Sequence, residues 1–238
     1  MEDFELLSCG MRIVQSDDLF RLGTDSILLA NFARPLRGRK FADLGAGGGA
    51  LGILLCADDA KCDLTGVEIQ AQACDIARKN IALNHLEDRF RVICGDLREI
   101  RSLLPANSFD AIISNPPYFP VGSGAPATEP AFAIARTECC CTLENLCSAA
   151  AWLVRYGGSF YTVHRPERLA ELMYLLKSHR LEPKRLRFVR HHPNSPVSLV
   201  LLESRLGGKS GLQIEHDLLL FTPDGRQTQE YREIYHME

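Results

Sequence analysis

The chain has 238 residues, 46% of them apolar, enough for one sizeable core or one core with a small annex. Its formal net charge of -3 excludes a global attraction to nucleic acid, so any such binding must use a local patch. No apolar run reaches the length of a membrane span, since Asp43 and a glycine cluster break the longest one. The acidic start, Met1 to Leu7, lacks the basic region of a signal peptide, and a cytoplasmic location is expected. Nine cysteines include no Cys-x-x-Cys pair, and the adjacent thiols of Cys139, Cys140 and Cys141 cannot easily share one tetrahedral site. Reduced thiols and no metal are the expectation.

Residues 1–40 precede the first strong strand. Met11 to Gln15 suits a short strand, and Thr24-Asp25 reads as the cap of a helix through Ala33, with Pro35 beyond its end. Forty residues are few for an independent domain, so they are read as a flap on a domain spanning 41–238. Phe41 to Leu44 is a strand, Gly45-Ala46-Gly47-Gly48-Gly49 a tight turn, and Ala50 to Leu55 the start of a helix. Glycines at alternate positions let the backbone approach a bound group where a Cβ would collide. Such a turn could hold a pyrophosphate, but Asp43 beside it favours an ammonium group.

The next strand, Asp63 to Val67, ends in Glu68, an acid placed to take both hydroxyls of a ribose. A helix from Ala71 to Asn84 leads to a third strand, Phe90 to Cys94, followed by Asp96. That carboxylate can accept the amino hydrogens of an adenine ring, or cap the helix after it, or both.

The apolar run Phe109 to Ile113 reads as a buried parallel strand, and Ser114-Asn115-Pro116-Pro117-Tyr118 follows at its carboxyl end. Two prolines stiffen the chain and remove two backbone donors. The Pro116 carbonyl and the Asn115 amide oxygen then form a pair of neutral acceptors beside the flat face of Tyr118, suited to a planar NH2 group. A Pro-rich turn with no chemistry is the competing reading. The aperiodic, Gly- and Pro-containing segment from Phe119 to Phe132 suggests a substrate-ordered cover. Thr142 caps a helix to Arg155 that Gly157-Gly158 ends, and strand Ser159 to Val163 delivers His164, a residue more often structural than catalytic. From Lys177 to His192 six Lys and Arg residues accompany the single acid Glu182, a basic run expected to contact RNA. Ser198 to Glu203 is another buried strand, and Leu212 to Phe221 an edge strand or extended tail.

In this order the elements resemble the class I S-adenosylmethionine-dependent methyltransferases, in the subset whose Asn-Pro-Pro-Tyr motif alkylates amino or amide nitrogens. The resemblance implies an α/β, Rossmann-like fold with seven strands, six of them parallel, and helices on both faces. It implies S-adenosylmethionine held by Asp43, Gly45, Gly47, Gly49, Glu68, Asp96 and Asn115, with Asn115, Pro116, Pro117 and Tyr118 as the catalytic motif. Residues 13–15, Phe20 to Asp25, Leu28 to Ala30, Arg136-x-Glu138, Val163 to Leu169, and the stretch through Tyr231 and Tyr235 are similar to the bacterial tRNA1(Val) (adenine-N6)-methyltransferase family. That likeness implies a tRNA substrate methylated at the adenine immediately 3′ of the anticodon, with no membrane partner and with a monomer favoured. Transfer to a glutamine amide of a release factor and transfer to a guanine of ribosomal RNA are the alternatives. The first is expected to need a larger helical domain in front, and the second a longer chain.

Overall fold

The computed structural model describes residues 2–7, 9–16, 22–118 and 141–236. Buried β-branched and aliphatic runs supply the central strands: β3 (Lys40–Leu44), β4 (Asp63–Glu68), β5 (Phe90–Cys94), β6 (Phe109–Ser114) and β7 (Val154–His164). These five pair in parallel, and the sheet continues through β9 (Val197–Leu206), antiparallel to both β7 and β8 (Leu181–Arg190). The short strands β10 (Gln213–Ile214) and β11 (Leu218–Leu219) both add to β8. Among the described residues the sheet order is β10-β8-β9-β7-β6-β3-β4-β5. The seven longer strands carry the expected arrangement, six in one direction and β9 against them.

Helices cover both faces of the sheet, whose central strands β3, β4 and β6 are buried on two sides. One face carries α1 (Thr24–Phe32), α2 (Ala50–Asp58), α3 (Ala71–Leu83) and the last helix, α7 (Gln229–Ile234), over a core that includes Leu28, Ile53, Phe90 and Ile234. The other carries α4 (Ile100–Leu103), α5 (Leu143–Leu153) and α6 (Leu169–Ser178), packed on Leu44, Ile112, Phe160 and Leu202. Strand order reverses at β3, which has β4 on one side and β6 on the other. The carboxyl ends of strands at such a reversal form the ligand crevice of an open α/β sheet. Leu44, Glu68, Ser114 and His164 end there, and no helix of the described residues is long and apolar enough to cross a membrane.

The hairpin of β1 (Glu2–Leu6) and β2 (Arg12–Ser16) forms a separate two-stranded sheet. Its docking is apolar and polar together, with Ile13 in the core and Val14 against Ala73 and Ile76. Asn80 on α3 and Asn84, its C-cap, each give and take a hydrogen bond with the β2 backbone: Asn80 with Val14 at 2.6 and 3.0 Å, Asn84 with Arg12 at 2.9 and 2.6 Å. Side-chain amides thus do what a neighbouring strand would do, satisfying backbone groups that burial would otherwise leave costly.

Two local expectations change. Helix α5 ends at Leu153 and passes straight into β7, so Gly157-Gly158 do not terminate it. They form an irregularity within the strand, where the register against β6 shifts between Phe109 and Ala111. A Cβ on Gly158 would lie 2.6 Å from the Asp110 carbonyl oxygen, so only glycine lets the backbones approach there. The basic run takes in the last two residues of α6 and all of β8. And Thr24-Asp25 do not cap α1, whose N-cap is Gly23.

Candidate active site

The glycine turn is held from below by the adjacent strand. Gly45 and Ala46 N–H groups donate to the Val67 carbonyl at 2.9 and 3.1 Å, and Gly47 N–H donates to Glu68 Oε2 at 2.9 Å. Gly45, Gly47 and Gly49 all take positive φ, of 77, 52 and 81°. Around Gly45 and Gly47 a Cβ would meet nothing within 4 Å, so both face open space that a bound group can fill. Asn80 Nδ2 also donates to the Gly48 carbonyl at 2.9 Å, tying the turn to the hairpin.

Asp43 and Glu68 lie beside this turn with side chains almost wholly buried. Glu68 is well satisfied, since its Oε1 accepts from Gln70 N–H at 2.9 Å while Oε2 holds Gly47. Burial still raises its pKa, against the lowering effect of those backbone donors. Both Asp43 oxygens have no hydrogen-bond partner among the described residues. Burial, and then the neighbouring Glu68 charge, push the Asp43 pKa up to about 8. An orphaned buried carboxylate next to an open glycine cradle fits a ligand that brings a cation and hydrogen-bond donors. That is the chemistry of an amino-acid ammonium and sulfonium, and the donor set fits S-adenosylmethionine.

Asp96 stands at the end of β5. It caps the following 3-10 turn through Arg98 N–H at 2.8 Å and pairs with the Arg98 guanidinium at 2.5 Å, which holds its pKa low. The capping role foreseen for Asp96 is therefore present, with part of the carboxylate left toward solvent.

Ser114, buried at the end of β6, donates its hydroxyl to the Leu44 carbonyl at 2.6 Å. This bond clamps the end of β6 to the end of β3 and sets Asn115 beside the glycine turn. Among the described residues no backbone N–H bonds the Pro116 carbonyl. Tyr118 folds back over the motif. Its hydroxyl reaches Asn115 Oδ1 at 2.7 Å and Asp25 Oδ2 at 2.5 Å, and Asn115 Nδ2 donates to Ser26 Oγ at 3.0 Å. Burial and then the Asp25 charge raise the Tyr118 pKa well above its ordinary value. Phe119 and the segment through Phe132, Arg136 and Glu138, lie outside the described residues.

His164 packs edge-on against the Tyr118 ring, centroids 5.4 Å apart. It is wholly buried; its Nδ1 accepts from Arg165 N–H at 2.8 Å, so Nε2 carries the hydrogen in the neutral ring. Burial and nearby Arg168 depress its pKa to about 4, so the ring stays neutral.

Most of the basic run is spent inside the molecule. Arg185 donates to Glu203 at 2.6 Å, Glu215 at 3.2 Å and the Phe32 carbonyl at 2.7 Å, with its guanidinium 4.4 Å above the Phe32 ring. Arg187 pairs with Glu230 at 2.7 Å, Arg190 with Asp217 at 2.5 Å and Lys177 with Glu182 at 3.0 Å. These contacts tie β8 to β9, α1 and the carboxyl-terminal tail. Sequence reading also missed Asp25 and Ser26 as site residues, because a polar pair at the start of a helix looks like a cap. The remaining sequence-named residues, Asp43, Gly45, Gly47, Gly49, Glu68 and Asn115 to Tyr118, come together at the reversal point.

Residues 13–178 match the methyltransferase small domain family, so the chain is a methyltransferase by class. The curated relatives are narrower in name. A tRNA1(Val) (adenine(37)-N6)-methyltransferase of Porphyromonas gingivalis is 30% identical over 209 residues, covering 85% of this chain and 78% of its own. One from Tolumonas auensis is 32% identical over 222 residues, covering 89% and 86%. The chain belongs to this tRNA1(Val) (adenine(37)-N6)-methyltransferase family. Solved structures support the fold: a predicted O-methyltransferase from Agrobacterium tumefaciens superposes with a TM-score of 0.74 at 22% identity, over 90% of this chain and 96% of that one. A geranyl diphosphate C-methyltransferase from Streptomyces coelicolor, solved with S-adenosyl-L-homocysteine, gives 0.56 at 12% identity, over 75% and 80%.

Proposed function

We infer that the protein methylates the exocyclic N6 amino group of adenine 37 in tRNA1(Val), with S-adenosylmethionine as the methyl donor. The observation that carries this reading is the placement of Asn115 to Tyr118 beside the glycine turn, clamped by Ser114 to the end of β3. Family membership supplies the substrate. Residues 1–40 are assigned as a flap on a methyltransferase domain of 41–238.

Asp43, the turn from Gly45 to Gly49, Glu68 and Asp96 would hold the cofactor, which when bound supplies an electrophilic methyl on a sulfonium. The chain's own contribution at the acceptor is alignment and fixed dipoles. The lone pair of an aromatic amino nitrogen is delocalised into its ring, which makes it a poor nucleophile. Asn115 Oδ1 and the Pro116 carbonyl accept its two hydrogens, draw charge onto the nitrogen and let it pyramidalise. Tyr118 stacks on the base, a contact worth about 1–3 kcal/mol. An adenine in an anticodon loop is already partly unstacked, so extruding it costs less than flipping from a duplex. No strong base is needed, since alkylation itself acidifies the remaining N–H; buried His164, neutral and already using Nδ1, is not one.

The test is an unmodified valine tRNA transcript incubated with the protein and methyl-labelled S-adenosylmethionine. Label should appear as N6-methyladenosine at position 37. Label in a guanine, in a protein glutamine, or nowhere contradicts the assignment.

A further inference from the structure

The Tyr118 oxygen stands 2.7 Å from Asn115 Oδ1, the acceptor the reaction needs, so the phenol fills the space a base amino group would have to enter. What keeps Tyr118 there is not the motif itself but α1: Asp25 Oδ2 lies 2.5 Å from the phenol oxygen. A phenol has one hydrogen, and two acceptors converge on it. A carboxylate acceptor makes the stronger bond of the two.

Resting on the reading above, we propose that the first turn of α1 governs access to the methylation site. Asp25 latches Tyr118 across the Asn115 carboxamide until a target base displaces it, and Ser26 holds the carboxamide plane once Tyr118 has gone. The phenol and the base compete for the space beside one acceptor, so the ring that must stack on the base also seals the site in its absence. Release of Tyr118 from Asp25 frees the Asn115 oxygen and the aromatic face in one movement. Ser26 Oγ, nearly buried and 3.0 Å from Asn115 Nδ2, is untouched by that movement and remains as the anchor.

A second observation shows that the closed arrangement leaves capacity unmet. His164 Nε2 is buried beside the Tyr118 ring with no hydrogen-bond partner among the described residues. A stranded donor beneath a ring that must move gains a partner when substrate takes its place. Asp25 and Ser26 are thus positioning residues, acting through Tyr118 and Asn115 rather than on the reacting atoms.

The test is steady-state kinetics on valine tRNA with Asp25→Ala in two backgrounds, wild type and Tyr118→Phe. Opening the latch should lower KM for tRNA about tenfold, the worth of one charge-assisted hydrogen bond, and leave KM for the cofactor in place. In Tyr118→Phe, which has no hydroxyl to hold, Asp25→Ala should change KM no further. A purely structural Asp25 would alter both backgrounds equally, or neither, and either result overturns the latch. Ser26→Ala should lower kcat about tenfold with both KM values retained; an unchanged kcat overturns its role. A wild-type protein that leaves the RNA unmethylated overturns the functional reading instead. The latch is then judged without RNA, by 13C NMR of labelled tyrosine: Asp25→Ala should let the Tyr118 phenol ionise at lower pH, and an unmoved titration overturns it.

Discussion

The two halves of the crevice are built on opposite principles. On the cofactor side, hydrogen-bonding capacity is left over: both Asp43 oxygens are buried without partners and Gly45 and Gly47 face open space. On the base side the Asn115 amide is covered: Tyr118 lies against its oxygen, held there by Asp25, and its nitrogen donates to Ser26. The first is a preformed receptor for a cation, whose cost is an unsatisfied resting state. The second is covered by its own side chain and opens only when Tyr118 moves. Such a contrast suits an enzyme whose small cofactor enters first and whose large substrate must present one nucleotide.

Substitutions break the comparison at different depths. Asn115→Ala should be the most severe, lowering turnover on the order of a thousandfold while the cofactor dissociation constant moves little, because the lost acceptor acts in the transition state. Equal loss of turnover and cofactor affinity would place Asn115 on the other side of the crevice. Gly47→Val comes next: a branched side chain at φ of 52° is strained and fills the cradle, so cofactor affinity should fall about a hundredfold by calorimetry.

Asp43→Asn separates the two halves by pH. A carboxyl with its folded pKa near 8, against an ordinary value of 3.8, binds its proton more tightly in the fold than in the unfolded chain. Its contribution therefore favours the fold below that ordinary range and is lost as pH rises through about 8. Melting of the ligand-free protein should fall over this window, and Asp43→Asn should flatten the fall. His164 works in the opposite sense: with a folded pKa near 4 it favours the fold above its ordinary 6.5 and gives that up as pH drops toward about 4. Cofactor affinity should rise with pH as Asp43 ionises, and the Asn variant should lose that rise. The smallest effect on function is expected from Arg185→Gln. It should cost roughly 2–3 kcal/mol of stability by denaturant unfolding, since several charge-assisted bonds disappear, yet leave the salt dependence of tRNA binding unchanged.

The cofactor half was legible in the sequence because its signals are local. An apolar strand, a glycine turn and an acid two positions before it announce themselves within a dozen residues. The Asn-Pro-Pro-Tyr motif was legible for the same reason. What escaped depends on contacts between distant positions. Asp25 meets Tyr118 across 93 residues and Arg185 meets the Phe32 carbonyl across 153, separations that no periodicity reports. Strand β8 was hidden because basic side chains and Pro183 interrupt it and register shifts break the period of two, leaving buried Leu181, Pro183, Leu186 and Val189 unevenly spaced. Asn80 and Asn84 look like ordinary polar positions on a helix until the hairpin backbone they serve is in view.

Structure determination with S-adenosylhomocysteine and an unmethylated valine anticodon stem-loop tests the central claim most directly. The account predicts the N6 of adenine 37 within hydrogen-bond reach of both Asn115 Oδ1 and the Pro116 carbonyl, on the side facing the cofactor sulfur, with the Tyr118 ring moved from Asp25 onto the base. An amino group turned away from those two oxygens, or a sulfur lying away from the turn at Gly45 to Gly49, would contradict it.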